Sequence, residues 1–130
     1  GDELSFSKTL TEEDVRSFAE ASGDTNRLHL DAEFAAETRF GEQIAHGTLV
    51  AGLISAALAR LPGLTIYLSQ ELSFLGPVAL GDRITAECAV VERLGENRFR
   101  LTTNVRDEDG ELVIDGEATV ISDTLPEKAT

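Results

Sequence analysis

The sequence predicts an α+β fold in which helices come first and an antiparallel sheet follows. Three observations carry this reading. Apolar residues recur at helical spacing up to Ala59, then switch to alternation from Leu64 onward. One segment, Gly47 to Ala59 (GTLVAGLISAALA), has no polar face, so a helix there must be covered on nearly every side. The alternating runs are joined by short Gly-, Asp- and Asn-containing turns, which make hairpins and not the long crossovers of a parallel sheet.

Each element has a local reason. Thr11-Glu12-Glu13-Asp14 is a helix start, with a hydroxyl cap and acids in the first turn where the helix dipole favours them. Val15, Phe18, Ala19 and Ser22 follow at helical spacing, and Gly23 stops the helix. The next six residues, DTNRLH from Asp24 to His29, carry no helix or strand pattern. Asp31 to Thr38 reads as a second short helix with Phe34 and Ala35 facing inward. The apolar helix follows, with Ala51, Gly52, Ser55 and Ala56 small enough for other backbones to approach, and Arg60 and Pro62-Gly63 close it.

Four strands come after. In the first, Leu64, Ile66, Leu68, Leu72 and Phe74 alternate with Thr65, Tyr67, Ser69 and Ser73. Ile84, Ala86, Cys88 and Val90 make the second, and Leu94 to Asn97 a turn. Phe99, Leu101, Thr103 and Val105 make the third, with Arg98, Arg100, Asn104 and Arg106 outward. Asp107 to Gly110 is a hairpin turn, and the fourth strand runs from Glu111 to about Ser122. The tail after Asp123 is expected to fray. A curved sheet wrapped around one apolar helix is the hot-dog architecture: a single domain over residues 1–130, its core spanning about 5–122. Such a sheet leaves an open edge for a second copy, so a homodimer is expected.

Composition narrows the function classes. With no Trp or Met, six Phe and one Tyr, the core must be built from Leu, Ile, Val and Ala. The single cysteine, Cys88, excludes an internal disulfide and reads as a small buried hydrophobe in a reducing compartment. The net charge of −13, from 24 acids against 11 bases, repels phosphate backbones and anionic membranes. Nucleic acid is therefore not an expected partner, nor is a membrane, and the scarcity of lysine also matches adaptation to high salt. The start GDELSFSKTL lacks a basic-then-apolar leader, and the longest uncharged stretch, Ile44 to Ala59, is too short to span a bilayer. A cytoplasmic location is expected.

Two constellations offer chemistry. An imidazole such as that of His29 can give or take a proton, and Asp24, five residues earlier, can orient it or work beside it on a bound water. The bland alternative is an Asp capping its own turn and a His packed beside Leu28. His46-Gly47 heads the apolar helix, where backbone N–H groups lack intrahelical partners and can hold an anion; a plain glycine at a tight helix entry explains it equally well. His46 reads as a structural hydrogen-bonder. Asp24, His29 and His46 together offer one carboxylate and two imidazoles to iron or zinc, but no helical His-x3-His spacing or further acid supports a metal. A phosphate loop and a nucleophile elbow are both absent, and no cofactor is expected.

FAEASGDTNRLHLDAEFA followed by IAHGTLVAGLISAAL resembles the MaoC-like dehydratase family, in particular its (R)-specific enoyl-CoA hydratases. The matching positions are Asp24, Asn26, Leu28, His29, Asp31, His46 and Gly47, and SQELSFLGPVALGD (Ser69 to Asp82) is similar to the family's strand leading into Pro-Val-x-x-Gly-Asp. Arg27 departs from the family's usual proline, removing a fixed φ and adding a positive charge. The resemblance implies reversible hydration of a trans-2-enoyl-CoA, or of an acyl-carrier-protein thioester, to the (R)-3-hydroxyacyl form, a reaction that can supply monomers for polyhydroxyalkanoate synthesis. It implies Asp24 and His29 as the catalytic pair, the Gly47 amide as oxyanion donor, and Asn26 and Ser55 as substrate-binding residues. The acid and base roles of the pair stay interchangeable at this level. Separately, a protein of charge −13 needs local positive charge to hold a polyanionic carrier, so Arg27, with Arg39 of the neighbouring helix, is expected to bind substrate near the carrier's phosphates. The alternatives are a hot-dog acyl-CoA thioesterase and a non-catalytic acyl-binding subunit of a dehydratase.

Overall fold

A computed structural model describes residues 3–123 as β1 (Glu3–Thr9), α1 (Glu12–Ser22), α2 (Arg27–Leu30), α3 (Ala32–Ala36), α4 (Gly47–Leu58), β2 (Leu64–Phe74), β3 (Arg83–Arg93), β4 (Arg98–Arg106) and β5 (Leu112–Asp123). The five strands form one antiparallel sheet in the order β1-β3-β4-β5-β2, so β1 and β2 are its edges. This is the hot-dog fold. The tail beyond Asp123, expected to fray, lies outside the described residues.

α4 is the pin around which the sheet bends. Its Val50, Leu53, Ile54, Ala57 and Leu58 are buried against Ile84, Ala86, Leu101, Val105 and Val120 of the sheet. Burying a side chain of the size of Leu53, Ile54 or Leu58 is worth about 1.5–3 kcal/mol each, before the entropy of ordering it. α1 begins as expected: Thr11 accepts from the Asp14 N–H at 3.1 Å while Asp14 accepts from the Thr11 N–H at 3.0 Å. Those backbone hydrogen bonds, helped by Lys8, hold the Asp14 carboxyl below its ordinary value. Cys88 is buried on the concave face, and burial pushes its thiol up to about 11, which leaves it inert as a nucleophile near neutral pH.

The structure corrects the sequence reading in four places. β1 was not anticipated; its seven residues hold only two large apolar side chains, Leu4 and Phe6, and it exists because β3 offers it a full ladder. α2 was not anticipated either, a single turn made inside the DTNRLH stretch. Phe34 faces out, 39% exposed beneath the Arg27 guanidinium at 4.6 Å, while Ala35 is buried as expected.

The fourth correction concerns β2. Its pairing with β5 slips between Tyr67 and Ser69, so Leu68 is an extra residue in the strand. Ahead of that bulge the alternation is reversed. Tyr67, opposite buried Val120, shares a face with Gln70 and Leu72, although on this edge strand it is itself as exposed as Ile66, at 41%; Leu64 and Leu68 are 49% and 45% exposed. α4 is likewise not covered all round: Thr48, Gly52 and Ser55 are exposed along it, and Thr48 and Gly52 with Tyr67, Leu68, Gln70 and Leu72 line an open cleft of about 350 Å³. No helix among the described residues is long and apolar enough to cross a membrane.

Candidate active site

The loop after α1 is aimed by one glycine. Gly23 has φ 81°, a left-handed conformation cheap only without a Cβ, and its N–H closes α1 on the Ala19 carbonyl at 2.9 Å. Ser22 continues the reversal, donating to the Phe18 carbonyl at 2.7 Å and accepting from the Asp24 N–H at 3.1 Å. Asn26 then caps α2, its Oδ1 accepting from the Leu28 N–H at 3.0 Å. Asp31 caps α3 by accepting from the Phe34 N–H at 3.1 Å, and also pairs with Arg27 at 3.2 Å. The Phe34 hydrogen bond first, and Arg27 second, hold the Asp31 carboxyl below its ordinary value.

Three hydrogen bonds from the segment before α4 clamp this loop. Gln43 Nε2 donates to the His29 carbonyl at 2.8 Å, His29 Nδ1 donates to the Ile44 carbonyl at 2.7 Å, and His46 Nε2 donates to the Asp24 carbonyl at 3.0 Å. A carbonyl can only accept, so each contact places a proton on the bonding nitrogen: in the neutral rings His29 leaves Nε2 as its lone pair and His46 its Nδ1. The clamps supply the rigidity that Arg27 forgoes in place of proline. Gln43 was not recognised in the sequence; an isolated amide in a segment without periodicity gives no signal.

One oxygen of the Asp24 carboxylate and one nitrogen from each of His29 and His46 lie within 4.8 Å of one another. Atoms within that limit are close enough to share a single water through two hydrogen bonds of about 2.8 Å. Asp24 is exposed, with only a long 3.3 Å bond from the Asn26 N–H, so its carboxylate is available. A shared metal does not fit. The two rings stack with centroids 3.9 Å apart and planes 29° apart, so their in-plane lone pairs do not converge at the roughly 2.0–2.1 Å a zinc–imidazole bond needs.

Gly47 begins α4 beside this cluster. Its N-cap is His46, which makes no side-chain capping bond, so the first N–H groups of the helix remain without a capping acceptor. A Cβ on Gly47 would sit 2.9 Å from the Phe74 ring, so glycine is what allows Phe74 to close over the helix start. Phe74, Gly47, Ile44, Val50 and Arg39 are among the residues lining a second, largely apolar cleft of about 400 Å³. The cleft reaches the loop through Ile44, whose carbonyl holds His29. Ser55 sits apart from Gly47 on the same helix, about 12 Å along its axis at 1.5 Å per residue, on the side near the Tyr67 phenol. Burial holds that phenol above its ordinary value, with Ser55 opposing.

The sequence profile of the MaoC like domain family matches residues 1–112. The chain is 47% identical over 118 residues to a 3-hydroxybutyryl-CoA dehydratase of Methylorubrum extorquens, covering 87% of this chain and 73% of that protein. It is 44% identical over 126 residues to an (R)-specific enoyl-CoA hydratase of Rhodospirillum rubrum, covering 93% and 85%. Among solved structures, the unliganded R-hydratase PhaJ1 of Pseudomonas aeruginosa superposes with a TM-score of 0.90 at 44% identity, covering all of this chain and 87% of that one. With the hot-dog fold, the clamped Asp24–His29 loop and the His46-Gly47 helix start in place, the chain belongs to the MaoC-like domain family.

Proposed function

We infer that the protein is an (R)-specific enoyl-CoA hydratase, a hydro-lyase that adds water reversibly across the double bond of a trans-2-enoyl thioester. The observation that carries the reading is the clustering of the Asp24 carboxylate and a His29 nitrogen within 4.8 Å, beside an uncapped helix start. The thioester oxygen would accept from the Gly47 N–H, where negative charge builds as C3 is attacked and the enolate forms. A water held between the Asp24 carboxylate and His29 Nε2 loses a proton to one of them as its oxygen bonds C3. The same proton, or its partner in the pair, then passes to C2 as the enolate collapses. With its Nδ1–H engaged on Ile44, the neutral His29 ring has Nε2 left to take part in the proton transfer. A thioesterase would need no such second proton carrier.

Crotonyl-CoA tests the assignment. Loss of enoyl absorbance without release of thiol, giving only the (R)-3-hydroxy product on chiral analysis, is the expected result. Thiol release would mark a thioesterase, and neither change a binding subunit.

For the carrier's phosphates, Arg39 is the better-placed cation. It lines the Gly47 cleft and makes no ion pair among the described residues, whereas Arg27 is already paired with Asp31. Arg39→Ala should raise KM for crotonyl-CoA by about 10- to 100-fold, the roughly 1.5–3 kcal/mol of a hydrogen bond to a charged group. It should leave KM unchanged for a pantetheine thioester lacking those phosphates, and Arg27→Ala should do less. Equal effects of Arg39→Ala on both substrates would refute the contact.

A second copy is the natural cover for the open side of α4 and the exposed edge strand β2 with Leu64, Ile66 and Leu68. The expected mass by light scattering is that of two chains, and Leu68→Asp should shift it toward one. A single-chain mass for the unmodified protein at micromolar concentration would exclude the dimer. The chemistry and the acidic surface suit a cytoplasmic thioester pool.

A further inference from the structure

We propose that His46 is the positioning residue of the reaction, holding both Asp24 and His29 in register through one buried imidazole. The proposal rests on the reading of Asp24 and His29 as the reacting pair. His46 is 2% exposed in a chain whose other buried polar side chain is Thr103 among the described residues. It stands at the N-cap of α4, where Ser, Thr, Asp or Asn would add roughly 1 kcal/mol by capping the helix, yet its side chain caps nothing. The ring turns away instead. Its Nε2–H holds the Asp24 main-chain carbonyl at 3.0 Å, and its face lies against the His29 ring at 3.9 Å. Phe18 of α1 packs against the same ring at 4.8 Å. The remaining nitrogen, Nδ1, is buried without a hydrogen-bond partner.

A buried polar atom without a partner costs free energy, so a side chain placed for stability alone would not be a histidine. Two requirements together select one. A flat ring is needed to stack on His29 and stop it rotating out of the plane that aims Nε2 at the water. An N–H on the far side of that ring is needed to hold the Asp24 backbone, and with it the carboxylate's starting point. Phenylalanine meets only the first requirement and glutamine only the second. The cost of the orphaned Nδ1 is smallest for a neutral aromatic nitrogen, which needs no proton there.

The test compares His46→Phe, which keeps a ring, with His46→Gln, which keeps an N–H. Each should lower kcat for crotonyl-CoA by about 10- to 100-fold, the consequence of misplacing a reacting group by up to an ångström. KM should change by no more than a few-fold. His29→Ala combined with His46→Phe should be no slower than His29→Ala alone, since residues acting as one unit are non-additive. Wild-type turnover in both folded single variants, or a fully multiplicative loss in the double variant, would overturn the proposal. Imidazole ¹⁵N spectra of the unmodified protein give a readout independent of mutant folding. The proton should sit on Nδ1 of His29 and on Nε2 of His46, and His46 carrying its proton on Nδ1 would also overturn it. If Asp24→Asn and His29→Ala both keep wild-type turnover, the hydratase reading fails instead, and the spectra still decide whether His46 clamps the loop.

Discussion

Asp24→Asn and His29→Ala are each expected to lower crotonyl-CoA turnover by about 10²- to 10⁴-fold, the usual worth of a positioned proton-transfer group. The double variant should be little slower than either single one, because without one partner the other has no positioned water to work on. KM should move far less than kcat, since both groups act as the transition state forms. The cost in stability separates the two positions. Asp24 is exposed and its one side-chain bond is long, so Asp24→Asn should melt like the parent. His29→Ala removes the donor that holds the Ile44 carbonyl, a loss of about 0.5–1.5 kcal/mol. A folded Asp24→Asn enzyme with near wild-type turnover would remove the mechanism.

Gly116→Ala should be the most damaging small substitution in the sheet. An alanine replacing a strand glycine at a site with room ordinarily stabilises by about 0.4–1 kcal/mol through the unfolded chain. Here the added Cβ would lie 2.7 Å from the Glu71 carbonyl, 2.8 Å from Thr103 Oγ1 and 2.9 Å from Leu72 Cδ2. Leu72 Cδ2 can turn aside, but the Glu71 backbone cannot. β2 must therefore move off β5, and overpacking of this kind costs about 1–3 kcal/mol. The same displacement breaks the bond from Gln70 Nε2 to Thr103 Oγ1 at 2.8 Å, and with it the link from Tyr67, whose phenol donates to Gln70 Oε1 at 2.8 Å. A melting temperature equal to or above the parent's would show that the strand yields freely and that the close contact carries no weight.

Arg98, Arg100, Asn104 and Arg106 show how directly the sheet could be read. Their alternation with Phe99, Leu101, Thr103 and Val105 put the basic residues outside, and there Arg100 pairs with Glu92 and Glu117 while Arg106 pairs with Glu87. A period of two has one solution when one face is apolar and the other charged. β2 shows the limit. Ahead of Ser69, Leu64, Ile66 and Leu68 alternate with Thr65 and Tyr67, so alternation pointed to the wrong set as the inward one, and the bulge at Leu68 was decided by pairing with β5. The polar loop shows a second limit. Asp24, His29 and Gly47 could be singled out as candidates because their side chains, or the lack of one, name their chemistry. Gln43 was invisible, because its importance lies in reaching a carbonyl fourteen residues away.

What the sequence by itself determined is the order of elements, the identity of the apolar helix, the class of fold and the residues able to move a proton. These follow from local periodicity and side-chain chemistry, which need no knowledge of neighbours. Tertiary structure alone decided that Asp24, His29 and His46 stand within 4.8 Å, that each imidazole carries its proton on a stated nitrogen, and that the apolar edge of β2 and the small-residue stripe of α4 face out together. Those facts depend on carbonyls and backbones brought together from distant parts of the chain, where packing, and not the pattern of any one segment, sets the distance.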